Sequence, residues 1–197
     1  MIFVTVGTQL PFDRLVRAID GWAAAHPEVE VFGQIGPANY RPRHFASEPF
    51  LPPDKVERYF RNAELIVGHA GMGTIVSSLT MRVPIIVVPR RQSFGEHRSD
   101  HQLATARWLK DELALNVLLD TDELPALLDR RRELRPGREI GNAARPRLLE
   151  TLRDFVESDQ SEPSTFGGIA AWTSGLRKML HEGNPNGVEA GRAQKGH

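Results

Sequence analysis

Apolar and polar positions along the chain alternate between two regimes: short branched runs of four to seven residues, and longer stretches with helical spacing. Ile2 to Val6 is a branched run that ends at Gly7-Thr8, which predicts a strand entering a tight loop. Phe12, Leu15, Val16, Ile19 and Trp22 then recur at helical spacing, and Pro27 closes that helix. Val29 to Ile35 alternates and stops at Gly36-Pro37, a second strand. His44 to Leu51 is weakly extended, and Pro52-Pro53-Asp54 opens a short helix through about Arg61. Leu65 to Gly68 predicts a strand, Met72 to Met81 a helix, and Val83 to Pro89 a strand apolar on both faces. Ser99 to Glu112 reads as a helix, Asn116 to Leu119 as a short strand, and Asp122 to Arg132 as a helix with an acidic start. A last helical pattern runs from Gly137 to about Val156, bent near Pro146. Strands alternating with helices at this rate predict right-handed crossovers and an open parallel sheet covered on both faces. Ligands of such sheets bind beyond the carboxyl ends of the strands.

The remaining features refine this picture. A chain of 197 residues holds one domain of ordinary size plus a tail. We assign residues 1–157 to the domain and 158–197 to a polar tail rich in Ser, Glu, Pro, Gly and Asn. The only apolar patch of that tail, Phe166 to Leu180, predicts at most one short helix, and the rest is expected to be mobile. Lys plus Arg (25) equals Asp plus Glu (25), so no overall field draws the protein to nucleic acid or to an anionic membrane. Cysteine is absent, which removes disulfides, thiolate metal sites and cysteine nucleophiles. The apolar start lacks a basic n-region, and no run approaches the roughly 20 apolar residues of a membrane span. The chain is therefore expected to be soluble.

Gly68-His69-Ala70-Gly71-Met72-Gly73-Thr74 joins a buried strand to a helix. Such a junction leaves free backbone N–H groups and the positive end of a helix dipole aimed at one spot, which favours an anion such as phosphate. Gly71 and Gly73 permit close backbone approach, and Thr74 adds a hydroxyl or caps the helix. No Lys follows Gly73 and no GxGxxG is present, so neither a Walker loop nor a dinucleotide fingerprint is formed. Taken alone, the glycines are better explained by a tight turn.

Pro89 to Gln102 follows the doubly apolar strand and concentrates acids, bases and amides. Asp100 and Gln102 can accept from and donate to sugar hydroxyls, and Arg90 or Arg91 can pair with a diphosphate. His97 and His101 are four apart and would share a face if helical, but no HExxH is present and helix is expected only from about Ser99. No metal is expected. Ser77 and Ser78 lie inside a helix pattern without a nucleophile elbow.

Four blocks in order, Val4-Thr5-Val6-Gly7-Thr8, His69 to Thr74, Pro84 to Pro89 and Gly95 to Gln102, resemble the C-terminal domain of family 28 glycosyltransferases over about residues 1–155. More narrowly they resemble stand-alone donor-binding subunits of the Alg13 and PssE type, and Gly95-Glu96-His97-Arg98-Ser99-Asp100-His101-Gln102 is most similar to the bacterial exopolysaccharide branch. The resemblance implies a Rossmann-like α/β domain, a single C-terminal-type half of a GT-B glycosyltransferase that binds a UDP-sugar. Gly7 and Thr8 would then approach the phosphates from one strand, and His69, Ala70, Gly71, Gly73 and Thr74 from another, with Arg90 spreading leaving-group charge. Glu96, His97, Asp100 and Gln102 would hold the sugar. Where many relatives carry a Glu for the ribose, this chain has Ser77 and Ser78, so the ribose contact falls to these serines or lies elsewhere.

The resemblance also implies a membrane-associated acceptor-binding partner similar to Alg14 or PssD, through which the chain sits at the cytoplasmic face of the inner membrane. Transfer of a hexose or hexuronate to a lipid-linked saccharide would follow, with inversion. The catalytic base is expected on the partner, with His69 a weaker candidate. A non-catalytic nucleotide-sugar-binding regulatory subunit and a relative of UDP-sugar 2-epimerases are the alternative readings. The donor sugar stays open among glucose, glucuronate and N-acetylglucosamine, with Arg91 or Arg98 available for a carboxylate.

Overall fold

The computed structural model describes residues 1–98 and 100–138. The helical pattern expected beyond Gly137, the boundary at residue 157 and the short helix in the tail lie outside the described residues.

Six parallel strands form the sheet: β1 (Ile2–Thr5), β2 (Val31–Gln34), β3 (Ala46–Glu48), β4 (Leu65–His69), β5 (Ile85–Val88) and β6 (Asn116–Val117). Their spatial order is β3-β2-β1-β4-β5-β6. The chain thus winds outward from β1 to one edge and restarts beside β1 with β4, which makes the gap between β1 and β4 the topological switch point. Thr5 lies opposite Gly68 in the register of that pair, so the loops after β1 and β4 leave the sheet at one level.

The helices follow from local rules. Helix α1 (Asp13–Ala25) ends at His26, where Pro27 disfavours helical geometry in the preceding residue. Helix α2 (Pro53–Asn62) starts with a proline whose missing N–H costs nothing at the first turn. Helix α3 (Met72–Met81) stops on Arg82 in a left-handed conformation (φ 56°), with Val83 N–H bonded back to Ser78 O at 2.9 Å. Helix α4 (His101–Leu113) ends likewise on Ala114, and α5 (Leu124–Asp129) is followed by a single 3₁₀ turn, Arg131–Glu133. The acidic start expected of this last helix lies in the turn before it.

Alternation along the strands divides the core between two faces. Ile2, Val4, Leu65, Val67, Ile86 and Val88 pack with Leu15, Val16, Ile19 and Trp22 of α1 and with Leu124 and Leu128 of α5. On the opposite face Phe3 stacks on Tyr59 (5.2 Å) and meets Phe60 edge-on (5.5 Å), which seats α2. Each such fully buried side chain contributes roughly 1.5–3 kcal/mol, so the central strands are the rigid platform of the site. The weak extended segment of the sequence is β3, a parallel edge strand. Its connection from β2, residues 35–45, contains no helix. Among the described residues, no helix is long and apolar enough to cross a membrane.

Candidate functional site

His69 is the last residue of β4, one position beyond the strand end expected from sequence. Its ring is wedged between two glycines. A Cβ on Gly7 would lie 2.8 Å from Cε1, and one on Gly71 would lie 2.1 Å from Nε2, closer than any real contact. Gly7 also has φ +77°, a left-handed conformation that favours glycine. The two glycines are therefore required by the ring as well as by the turns. Burial pulls the His69 imidazole down from 6.5 to about 4, and the positive charge of Arg90 adds to the effect. The Thr5 carbonyl partly opposes it, although Nδ1 has no hydrogen bond of good geometry. His69 is neutral at physiological pH and presents one N–H donor and one lone pair.

Two residues on, Gly71 is the N-cap of α3, which has no side-chain cap and no acidic residue in its first turn. Ile75 N–H is bonded to Gly71 O at 3.2 Å, so the N–H groups of Met72, Gly73 and Thr74 have no partner within the helix. A Cβ on Gly73 would meet nothing within 4 Å, whereas one on Gly68 would press on Thr5 O and the Thr74 methyl. Gly73 thus leaves open space beside donors that have no partner among the described residues. Thr8 is exposed across the switch point, in the loop that follows β1.

The segment after β5 is organised by its own charges. Arg90, 3 % exposed, donates to the carbonyls of Val6 (2.6 Å), Leu10 (2.6 Å), Pro11 (2.5 Å) and Glu96 (3.2 Å), and lies over the Phe12 ring at 4.8 Å. Burial lowers its guanidinium to about 10, opposed by Glu96, so it stays charged at neutral pH. The expected pairing of Arg90 with a diphosphate is corrected here: its donors are spent on fixing the Gly7 to Pro11 loop. Glu96, also buried, receives a bidentate pair from Arg14 (2.9 and 3.0 Å) and the N–H of Arg91 at 3.0 Å. Its expected sugar contact is corrected for the same reason.

Arg91 donates to Leu119 O and lies 3.5 Å from Asp120, both through Nη2, while its Nε has no partner among the described residues. Asp100 Oδ1 accepts from Gln92 N–H (2.9 Å) and Gln102 Oε1 from Arg90 N–H (3.1 Å). Their other atoms, Oδ2 and Nε2, carry no hydrogen bond among the described residues. His97 is half-buried. Arg98 is exposed without a partner among the described residues. Because α4 starts only at His101, residues 97 and 101 do not share a helical turn.

Of the two places left open for the ribose contact, Ser77 or Ser78 and elsewhere, the packing of the serines favours the second. Both serines are buried, and their hydroxyls donate to Gly73 O (2.9 Å) and Val83 O (2.6 Å). Arg14, which reaches Glu96, Pro89 O and Asp120, was missed because its partners lie 75 to 106 residues away, with no local signal.

A parallel sheet in this order, with two loops and a helix start converging at its switch point, is a Rossmann-like nucleotide-binding architecture. Residues 1–139 match the glycosyltransferase family 28 C-terminal domain, and the chain belongs to that family. It is 29% identical over 122 residues to the human UDP-N-acetylglucosamine transferase subunit ALG13, and 27% identical over 106 residues to the mouse protein of that name. These matches cover 56% and 49% of this chain and only 10% and 9% of the relatives. The chain therefore spans about a tenth of their length. In fold it is similar to the kitacinnamycin glycotransferase, with a TM-score of 0.52 and 19% identity, over 92% of this chain and 39% of that one.

Proposed function

We propose that this chain binds the donor for a two-component glycosyltransferase that moves a hexose or hexuronate from a UDP-sugar to a lipid-linked saccharide, in exopolysaccharide or capsule synthesis. The observation that carries this reading is the neutral His69 ring held between Gly7 and Gly71, immediately before the uncapped start of α3. A diphosphate there would receive the N–H groups of residues 72–74, the helix dipole and one imidazole N–H. Thr8 adds a hydroxyl from the opposite loop. As the bond from the anomeric carbon to UDP breaks, negative charge grows on the diphosphate, and donors already in place stabilise it without reorganising.

The second requirement is a base for the acceptor hydroxyl. A histidine titrating at about 4 has little affinity for that proton at neutral pH, so His69 acts as a hydrogen-bond donor. The base comes from a membrane-associated acceptor-binding subunit resembling Alg14 or PssD, which also holds the chain at the cytoplasmic face of the inner membrane. The word subunit in the names of the human and mouse relatives supports this division. Asp100 Oδ2 and Gln102 Nε2, with His97, face the sugar hydroxyls, and Arg98, which has no partner among the described residues, suits a hexuronate carboxylate.

Calorimetry with UDP and a transferase assay of this chain and the partner, separately and together, test the reading. UDP should bind the chain alone, and transfer should require both proteins. Failure to bind UDP overturns the donor assignment, and transfer by this chain alone overturns the two-component assignment.

A further inference from the structure

One face of α1 projects Asp13, Arg17 and Asp20, spaced by four and three residues, and all three act on the helix-free connection from β2 to β3. Asp13 Oδ1 accepts the N–H of Asn39 at 3.0 Å. The Arg17 guanidinium lies 4.1 Å from the centre of the Tyr40 ring. Asp20, 2 % exposed, accepts the Tyr40 hydroxyl on Oδ2 (2.6 Å) and the N–H groups of Arg43 (2.9 Å) and His44 (2.8 Å) on Oδ1. The His44 ring stands 3.4 Å from the same oxygen. A carboxylate is costly to bury unless it is paired and hydrogen-bonded, and here these groups together outweigh burial and hold Asp20 below its ordinary range. The connection is thus a fixed strap.

The strap begins at Gly36, whose N–H is bonded to Pro49 O at 2.9 Å and whose φ is +58°. A Cβ there would lie 2.9 Å from the Gly7 carbonyl oxygen, so Gly36 rests directly against the residue that confines His69. We infer that Asp20 is a positioning residue for the crevice: by pinning residues 39–44 to α1 it holds Gly36 against Gly7, and so keeps the His69 ring between Gly7 and Gly71. The ligand that benefits rests on the donor reading above, but the mechanical coupling does not.

The test uses the full chain with Tyr40→Phe, Asp13→Ala and Asp20→Ala, and with Leu128→Ala as a control that loosens the shared core without removing a strap hydrogen bond. The His69 ring resonance and its titration, UDP affinity and thermal unfolding are followed together. Tyr40→Phe and Asp20→Ala should shift the His69 resonance, move its titration upward from about 4 toward 6.5, and weaken UDP binding roughly fivefold or more. Leu128→Ala should lower the unfolding temperature alone. Strap variants that unfold earlier yet keep the wild-type His69 resonance overturn the inference. If Asp20→Ala does not fold, the two milder variants decide. Absence of UDP binding by the wild type would defeat the donor reading while leaving the His69 resonance to judge the positioning role.

Discussion

The His69 ring occupies the space that a side chain on Gly71 would need, with Nε2 only 2.1 Å from the ideal Cβ position. Gly71 and Gly73 therefore differ in kind. Gly71→Ala must displace the ring or the start of α3, at a cost of about 1–3 kcal/mol. Gly73→Ala meets open space and replaces a weak helix former, so its stability should be unchanged or higher by roughly 0.5–1 kcal/mol. Both should weaken UDP binding by roughly tenfold, read by calorimetry beside urea unfolding. An alanine at 73 that leaves UDP affinity intact would remove the open space from the ligand site.

Stability should depend on pH through His69. An unfolded histidine takes up a proton near 6.5, whereas the folded one does so only near 4. Between these values the unfolded state binds more protons, so stability falls as pH drops from 6.5 to 4 and is fully retained above 6.5. The gap between 6.5 and about 4 corresponds to roughly 3 kcal/mol. Urea midpoints across this window should slope for the wild type and much less for His69→Gln. Equal slopes would mean that other groups carry the acid sensitivity.

Arg14→Ala should cost about 3 kcal/mol, because it strands the buried Glu96 carboxylate. Adding Glu96→Gln should restore part of that loss, so the double variant will be more stable than the sum of the two single changes predicts. Strict additivity in denaturant unfolding would show that the pair contributes nothing through its charge.

Ala114 closes α4 with φ 52°, a conformation that costs a residue with a side chain about 1 kcal/mol. Ala114→Gly should raise the melting temperature by about 2–6 °C without touching UDP affinity. A lower melting temperature would mean that the left-handed cap is not strained.

Local pattern carried the sheet and most helices because strand period, prolines and glycines act over a few residues. Helix α3 spans the expected Met72 to Met81, since a buried strand, a glycine break and an apolar helix are all local signals. Arg90 and Glu96 were misread for the opposite reason. A charged residue looks alike in sequence whether its partner is a ligand or a carbonyl 84 residues away, and only the fold shows that Arg90 bonds Val6. Ser77 and Ser78 were left as one of two places for a ribose contact because sequence does not show that buried helical serines donate back to the main chain. Asp20 did leave a trace: it falls in the buried stripe with Val16, Ile19 and Ala23, where an acid requires partners.

The arginine clamp also imposes an order on synthesis. Residues 7–11 emerge from the ribosome early, but the guanidinium that binds the carbonyls of Val6, Leu10 and Pro11 arrives some eighty residues later. A nascent chain can pair its first strands while this loop is still unshaped, because contacts so distant in sequence wait for their partner to be made. Until Arg90 has been made, the carbonyls of Val6, Leu10 and Pro11 lack the guanidinium that gathers them, so the first loop of the site takes its final shape only after β5 is complete.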